Sequence, residues 1–383
     1  MNQFRRGWAK LMSVEGPDFI AWLRRKEVLR DRITVQARVV SRLLIDEIDT
    51  EAAAIKFWDG VPRALNHRCP ETMHKDWGIV RAYAWLHFLE RYARTWGALE
   101  YLVEECRLPM GSEGVRTLDV GAGLGAVAFA IHDFYAAMLE FAAETDNPNW
   151  HQPPEITCVE NGIGWNAMRS QLWEMIHSVA RGEWPCDLST WKNLNDFTGI
   201  RPDQERADEF ERLRWAYATD WDEYRGEETT ELLHTAQEAN QEAQSRHRYR
   251  LFVFSNFFTS LKSVKAMGDK LSELLTDANP GSVLLVMGAE TGCYVAIYEQ
   301  LQRIAEAAGF RIVVPDARAS SAISSVDDIV SAESLKIYEH AQRLAPNDDE
   351  RIVNFGDSFA QGEVFRANAI RAFRKHRNIR QSS

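Results

Sequence analysis

The segment from Thr117 to Ala126, with the sequence TLDVGAGLGA, constrains the fold of this chain more than any other stretch. The residues before it predict a buried strand from Val115 to Val120, and a helix is predicted to begin near Ala126. Between them, Gly121, Gly123 and Gly125 allow the chain to reverse sharply while its backbone stays open to a ligand. The sequence therefore predicts a strand, a glycine-rich turn and a helix.

The spacing of the turn restricts which ligand it suits. The pattern is G-x-G-x-G, whereas nicotinamide- and flavin-binding turns carry G-x-G-x-x-G. An acid, Asp119, stands two residues before the first glycine. Together, DVGAGLG resembles the first motif of the class I (Rossmann-like) S-adenosylmethionine-dependent methyltransferases. The resemblance implies S-adenosylmethionine as the cofactor, with its methionine part near the turn, and implies these cofactor-binding residues: Asp119, Gly121, Ala122, Gly123 and Gly125.

The same resemblance implies a fold. It is an α/β fold with a doubly wound, seven-stranded, mostly parallel sheet, one antiparallel strand and helices on both faces. The resemblance covers residues 112–315 and extends as far as 375. Ser282 to Met287 is a continuous apolar run typical of a central parallel strand. Tyr294 to Ala308 is an amphipathic helix, Arg311 to Val314 is a further strand, and Glu363 to Phe373 is predicted to supply the last, antiparallel strand.

A second acid stands at the end of a predicted strand. Glu155 to Glu160 is short and rich in β-formers, and a carboxylate at this place can accept hydrogen bonds from both ribose hydroxyls. We therefore predict that Glu160 and the following Asn161 bind the cofactor. The alternative is that Glu160 is an exposed acid at the end of a strand.

A third acid lies in an acidic insert over residues 182–245. Gly182 to Thr198 is turn-rich, and residues 201–245 hold thirteen Asp/Glu against five Lys/Arg. Within the insert, Leu213 to Trp221 alternates enough to be a strand that ends in Asp220 and Trp221. The resemblance implies that Asp220 contacts the adenine amino group and that Trp221 stacks on the base. An ordinary Asp-rich turn is the alternative.

The strand from Tyr249 to Phe254 leads into Ser255, Asn256 and Phe257. Ligands bind at the carboxyl ends of strands in such sheets, so we predict that Ser255 binds the cofactor and that Asn256 and Phe257 contact the substrate. Amino-group methyltransferases of the adenine and glutamine type carry two prolines after this Asn, and both are missing here. Burial of Phe257 at the strand end is the alternative.

Two parts of the chain are predicted. Residues 1–110 form a helical region whose aromatic residues serve either as core packing or as a lid or substrate cover. Residues 111–383 form the S-adenosylmethionine-binding α/β domain. One possible metal site, made of His67, Cys69 and His74, has no familiar ligand spacing, and no metal is predicted.

Composition bounds the location and the partners. Of the 383 residues 45% are hydrophobic, and no run approaches the ~18 apolar residues that a membrane span requires. The amino-terminal residues lack a secretory pattern, and the five cysteines form no C-x-x-C pair, so a cytoplasmic protein without membrane association is expected. The net charge of -11 argues against a whole-surface nucleic-acid binder. Both termini are locally basic, with six Lys/Arg and no acid over residues 366–380.

The leading hypothesis is a methyltransferase with an unidentified acceptor: a small molecule, a protein or RNA. The sulfonium activates the methyl group, so no catalytic base has to be assigned, and the catalytic residues stay unassigned, as does the oligomeric state. One alternative is a catalytically silent methyltransferase fold that serves in binding or assembly. Weaker alternatives are an rRNA or RNA methyltransferase that uses the basic termini, and a nicotinamide-dependent oxidoreductase.

Overall fold

The computed structural model describes residues 16–65, 75–105, 107–109, 115–145, 154–160, 162–179, 188–191, 249–258, 260–289, 292, 294–318, 320–362 and 369–376. Helices occupy the part of the chain before the first strand. Residues 16–25 form helix α1, and the elements that follow are α2 (Val28–Glu47), α3 (Glu51–Leu65), α4 (Trp77–Tyr83), a π-helix (Ala84–Phe88) and α5 (Leu89–Glu104).

Strands and helices then alternate. The elements are β1 (Arg116–Val120), α6 (Ala126–Glu144), β2 (Glu155–Val159), α7 (Ile163–Val179), β3 (Leu188–Trp191), β4 (Leu251–Ser255), α8 (Leu261–Ala266), α9 (Gly268–Thr276), β5 (Val283–Gly288), α10 (Tyr294–Ala307), β6 (Phe310–Ala317), α11 (Ser320–Ser324), α12 (Asp327–Leu344), α13 (Glu350–Ala360) and β7 (Ala369–Lys375).

One sheet organises these strands. Its seven strands lie in the order β3-β2-β1-β4-β5-β7-β6, and β1 is at its centre, paired in parallel with β2 and β4. The other parallel pairs are β2 with β3 and β4 with β5. Only β7 runs against its neighbours, β5 and β6. The mixed α/β class predicted from the sequence is therefore confirmed.

Alternate side chains of the strands enter two hydrophobic clusters, one on each face of the sheet. In β4, Leu251 and Val253 join the larger cluster with the amino-terminal helices and α6, whereas Phe252 and Phe254 join the smaller one with α9 and α10. This alternation follows from the period of two in a strand. Both faces are covered by helices, which explains why the central strands are apolar throughout.

The strand beside β2 lies in a stretch whose sequence is turn-rich. Leu188–Trp191, inside the stretch interpreted as turn-rich, is β3 and pairs with β2 from Ile156 to Val159. The predicted strand from Leu213 to Trp221 lies outside the described residues, as does most of the acidic insert. A four-residue strand flanked by polar residues has too short an alternation to be recognised by periodicity.

Helix α6 is the most apolar helix among the described residues. It is long and apolar enough to cross a membrane by length and composition, but 78% of that window is buried inside the fold. Phe129, Phe134 and Met138 pack into the larger core cluster. The composition of α6 is thus accounted for by its position between the sheet and the amino-terminal helices.

Candidate functional site

The glycine turn lies at the carboxyl end of the central strand, where β1 passes into α6. Gly121, Gly123 and Gly125 all have positive φ, at 73°, 53° and 86°. The turn is tied to β2, because the backbone N–H groups of Gly121 and Ala122 both donate to the carbonyl oxygen of Val159, at 2.9 and 3.2 Å. Three left-handed residues in five exclude most side chains here, so the glycine spacing is a backbone requirement.

Two of these glycines have different surroundings. A Cβ atom on Gly121 would lie 2.2 Å from Cδ2 of Phe257, so the Phe257 ring rests directly on the turn. A Cβ atom on Gly123 would meet nothing closer than a backbone oxygen at 4.0 Å. Gly121 is therefore closed off by the chain itself, whereas the backbone at Gly123 is open to a ligand.

Glu160, at the end of β2, holds two turns together. One carboxylate oxygen accepts the N–H of Gly123 at 2.9 Å, and the other accepts the N–H of Gly162 at 2.8 Å. Charge-assisted hydrogen bonds of this kind are the stronger ones. Each oxygen keeps a second lone pair, so the predicted contact with ribose hydroxyls remains chemically available. Asn161 lies outside the described residues.

Arg169, on α7, contacts the glycine turn through a hydrogen bond and packing. It is buried, with Nη1 donating to the carbonyl oxygen of Gly123 at 2.9 Å and Nη2 donating to Oδ1 of Asn166 at 2.6 Å. Its stem passes beside Gly125, where a Cβ atom would lie 2.7 Å from the Arg169 Cδ. Arg169 is thus a positioning residue for the glycine turn.

Asp119 is the most unusual group of the site. It is fully buried in β1, and neither carboxylate oxygen has a hydrogen-bond partner among the described residues. Burial raises its pKa to about 7, the Arg169 and Arg91 charges act in the opposite direction, and the Glu160 charge adds to the rise. A buried carboxylate without a donor is costly, so Asp119 is suited to receive a cationic or hydrogen-bonding group from outside the chain.

Arg91, on α5, lines a small cavity beside the glycine turn, and its charge also acts on Asp119. The cavity is lined by Tyr83, Arg91, Gly121, Ala122 and Ser255, among others. The Arg91 guanidinium lies over the Tyr83 ring, 4.6 Å from its centroid, and its Nε and Nη2 atoms have no hydrogen-bond partner among the described residues. Tyr83 directly precedes the π-helix, and π-turns of this kind occur frequently at functional sites.

Ser255 ends β4 beside the same cavity. Its Oγ atom accepts a hydrogen bond from Nη2 of Arg94 at 3.3 Å, and Arg94 in turn lies 3.6 Å from a carboxylate oxygen of Glu90. Burial raises the pKa of Glu90 while the charges of Arg94 and Arg91 lower it. Arg94 and Glu90 thus form a buried pair of opposite charges that contacts the Ser255 side chain.

Asn256 follows Ser255 in a strained conformation. Its φ is 52°, in the left-handed region that favours glycine, and its backbone N–H donates to the carbonyl oxygen of Met287 at 2.8 Å. Its side-chain Oδ1 is buried without a hydrogen-bond partner among the described residues. Strain and an unmet acceptor at one residue are typical of functional positions.

The structure thus gathers most of the residues singled out in the sequence at the carboxyl ends of β1, β2 and β4: Asp119, Gly121, Ala122, Gly123, Gly125, Glu160, Ser255, Asn256 and Phe257. Asp220 and Trp221 lie outside the described residues, as do His67, Cys69 and His74. Their roles stay predictions.

Sequence reasoning missed the roles of Arg91 and Arg169. Each stands on a helix whose other residues suggest ordinary packing, and neither belongs to a short motif. For Arg91, only the burial of α5 against the turn reveals that a charged side chain faces the cavity.

Solved structures with a similar fold include S-adenosylmethionine-dependent methyltransferases. Human N-acetylserotonin methyltransferase in complex with SAM is 10% identical, covering 84% of this chain and 67% of that chain, with a TM-score of 0.27. The cyclopropane synthase MmaA2 from Mycobacterium tuberculosis is 11% identical, covering 71% and 81%, with a TM-score of 0.33. An uncharacterized protein from Burkholderia thailandensis is 8% identical, covering 90% and 93%, with a TM-score of 0.34.

Comparisons with protein-family models and with curated proteins gave no match. At identities and TM-scores this low, the functional conclusion depends on the residues of the site itself.

Proposed function

We propose that this chain binds S-adenosylmethionine at the glycine turn and transfers its methyl group to an acceptor. The observation that carries the proposal is the pairing of an open backbone at Gly123 with the buried, unpartnered carboxylate of Asp119 in the strand that leads into the turn. A ligand that fits the glycine turn needs a narrow group that can approach the Gly123 backbone. It also needs a hydrogen-bond donor for the Asp119 carboxylate.

The residues present fit the cofactor's functional groups. Asp119 would receive the ammonium group, and the unpaired nitrogens of Arg91 would receive the carboxylate of the methionine part. Glu160 would accept the ribose hydroxyls with the lone pairs that Gly123 and Gly162 leave unused. The Arg91 charge at the cavity and the Asp119 carboxylate buried near it match an amino acid moiety better than they match a dinucleotide phosphate.

The chemistry places few demands on the chain. Bound S-adenosylmethionine supplies an activated methyl group, so the protein has to orient the acceptor and exclude water. Asn256 is suited to orient it, because a buried amide oxygen without a donor favours an acceptor that carries an N–H or O–H group. Tyr83 and Arg91 place part of the amino-terminal helical region against the cavity, which supports its proposed role as a substrate cover.

Calorimetry with S-adenosylhomocysteine tests the binding step. We expect the wild-type chain to bind and Gly123→Ala to bind at least about tenfold more weakly, because its new methyl group would occupy the open side of the turn. Gly281→Ala is the matched control: Gly281 also has positive φ, at 92°, and nothing lies within 4 Å of its Cβ position. Both variants carry about 1–2 kcal/mol of backbone strain. Equal loss of affinity in both, or no heat with the wild-type chain at millimolar ligand, would refute the proposal.

Methyl transfer needs a separate measurement. Labelled S-adenosylmethionine is incubated with the protein and a cell extract, and the label is followed into RNA, protein and small molecules. Transfer into one of these fractions names the class of acceptor. Tight binding of the ligand without transfer to any fraction would favour the alternative of a silent fold in a binding or assembly role.

A further inference from the structure

The opposite edge of the sheet, where β5 and β6 begin, carries a second concentration of charge. In the antiparallel pairing of β6 with β7, Arg311 stands directly opposite Arg374. Directly opposed like charges destabilise a pair of strands. His376, two residues beyond Arg374, lies on the same face of an extended chain and continues the pairing through its N–H, which donates to the carbonyl oxygen of Gly309 at 3.0 Å.

A third arginine reaches this place from another part of the chain. Arg107 follows α5 and lies within electrostatic range of β7: burial lowers the pKa of Arg374, and the charge of Arg107 lowers it further. The pKa of His376 is lowered by burial and then by Arg311, Arg374 and Arg107. The arginine charges therefore oppose one another and disfavour protonation of His376, and we refer to Arg107, Arg311, Arg374 and His376 as the amino-edge cluster.

No carboxylate neutralises the amino-edge cluster among the residues that the structure describes. At the beginning of β1, in contrast, Arg116 pairs with Glu155 at 2.8 Å. Arg311 and His376 are exposed, and Arg107 and Arg374 are half-buried. In a chain with a net charge of -11, three unneutralised arginines at one edge form a local feature and do not reflect the overall composition.

The end of β7, which carries Arg374 and precedes His376, is attached to neighbouring helices by hydrogen bonds of Lys375. The Lys375 ammonium group does not point into the cluster, because it donates to the carbonyl oxygens of Leu275 at 3.0 Å and Thr276 at 3.2 Å, and also to that of Ala308. These contacts join β7 to the ends of α9 and α10. The two opposed arginines are thus presented on a rigid part of the sheet.

We propose that the amino-edge cluster binds the phosphate backbone of a polynucleotide. Guanidinium groups match phosphate oxygens in a bidentate manner, and a phosphate between Arg311 and Arg374 would replace their repulsion with two attractions. Arg311 is exposed and Arg374 is half-buried, so a long polyanion that passes across this end of the sheet can reach both guanidinium groups. A lipid surface fits less well, because the large hydrophobic residues that are exposed in the described part of the chain, Ile55, Ile163 and Val295, lie on elements other than β6 and β7.

This binding site is independent of the proposed methyl transfer, since it lies at the opposite ends of the strands from the glycine turn. RNA as the methyl acceptor would use both sites, but a polynucleotide can bind here whether or not the chain binds S-adenosylmethionine. Failure of one proposal therefore leaves the other testable.

Fluorescence anisotropy with a labelled single-stranded oligouridine of about 20 nucleotides tests the inference. The double variant Arg311→Gln/Arg374→Gln is compared with the wild-type chain over a series of salt concentrations. Removing two phosphate contacts from a single strand is expected to reduce the slope of log affinity against log salt by about 1.4. The matched control, Arg38→Gln/Arg42→Gln, removes the same charge from two exposed residues of α2 and should leave the slope unchanged.

Further variants separate charge from folding. Arg311→Lys/Arg374→Lys keeps both charges and should retain most of the affinity, whereas the Gln double variant should unfold at the same temperature as the wild-type chain or above it. All variants should keep the wild-type affinity for S-adenosylhomocysteine. An equal loss in the α2 control, absence of RNA binding by the wild-type chain at about 50 mM salt, or equal binding to phosphatidylserine vesicles would overturn the assignment to a polynucleotide.

Discussion

Asp119 shows how one buried residue can link stability to ligand binding. Its pKa is raised from 3.8 to about 7, chiefly by burial. The unfolded chain loses this proton near pH 4, while the folded chain keeps it until about pH 7. The protein therefore loses stability as the pH rises through this interval, and above pH 7 the loss stays constant.

We predict that Asp119→Asn is more stable than the wild-type chain at pH 8 and similar to it at pH 4, because an amide never ionises. In the wild-type chain, affinity for S-adenosylhomocysteine should increase as the pH passes through 7, since the ionised acid receives the ammonium group. The variant should bind weakly at every pH. Urea unfolding at pH 4 and 8 checks the stability, and calorimetry at pH 6 and 8 checks the binding; an Asn variant that binds as well as the wild-type chain would contradict the assigned role.

Asn256 is the second residue whose conformation suggests a role. It shares its left-handed backbone, at φ 52°, with one other non-glycine residue among those described, Glu27, which also has φ 52°. Glycine relieves that strain at either position, which is worth about 1 kcal/mol. The pair therefore provides a variant and its control.

We predict that Asn256→Gly and Glu27→Gly both keep the stability of the wild-type chain or exceed it, and that only Asn256→Gly loses methyl transfer to the acceptor identified in the labelling experiment. The physical reason is that Oδ1 of Asn256 is lost as a hydrogen-bond acceptor at the site. Thermal unfolding and label incorporation measure the two effects. Unimpaired transfer by Asn256→Gly would remove Asn256 from the substrate contacts.

Among the secondary-structure elements, β7 is joined to the ends of two helices by the hydrogen bonds of one lysine, in addition to its hydrophobic packing against them. Lys375 contacts three backbone carbonyls at the carboxyl-terminal ends of α9 and α10, where a cation is also favoured by the helix dipoles. Lys336, in contrast, makes one exposed ion pair with Glu333 at 2.7 Å.

We expect Lys375→Met to lower the free energy of unfolding by about 1–3 kcal/mol, because half-buried carbonyls lose their donor. Lys336→Met should change it by about 0.5 kcal/mol or less, as is usual for exposed ion pairs. Urea unfolding followed by circular dichroism measures both values. Similar values for the two variants would show that the Lys375 contacts do not hold the strand.

For the whole molecule, the amino-terminal helices share their core with the α/β part. Trp96 packs edge-on against Phe134 of α6, at 5.1 Å between ring centroids. The indole N–H of Trp85 donates to the carbonyl oxygen of Ser334 at 3.0 Å, and that of Trp58 donates to Ala345 at 2.9 Å. We propose that the predicted boundary near residue 110 separates two functional parts but does not separate two folding units.

The corresponding prediction concerns a fragment of residues 111–383. It should lack a cooperative thermal transition and should bind a hydrophobic dye, because α6 would expose Phe134 and Phe141 to water. The full chain should unfold in one transition that S-adenosylhomocysteine moves to higher temperature. A fragment that unfolds cooperatively at the temperature of the full chain would show instead that the α/β part folds by itself.

The sequence alone determined the features that depend on local backbone and on periodicity. Gly121, Gly123 and Gly125 predicted the turn because only glycine adopts three left-handed conformations so closely spaced, and the apolar runs at β1, β4 and β5 predicted central strands. Glu160 and Asn256 were identified because parallel strands bring their carboxyl ends to one edge. The predicted last strand, Glu363 to Phe373, overlaps β7 at Ala369–Lys375, and residues 363–368 lie outside the described residues.

The tertiary structure alone decided everything that depends on contacts between distant segments. Arg91 and Arg169 acquire their roles only when α5 and α7 pack against the turn, and β3 forms at Leu188–Trp191 because β2 offers it a hydrogen-bonding edge. The opposition of Arg311 and Arg374 depends on strand register, which is set by burial of one face of each strand and not by either residue. Local sequence patterns determine which segments tend to form helices, strands and turns. The packing of those segments determines which groups a charged side chain contacts.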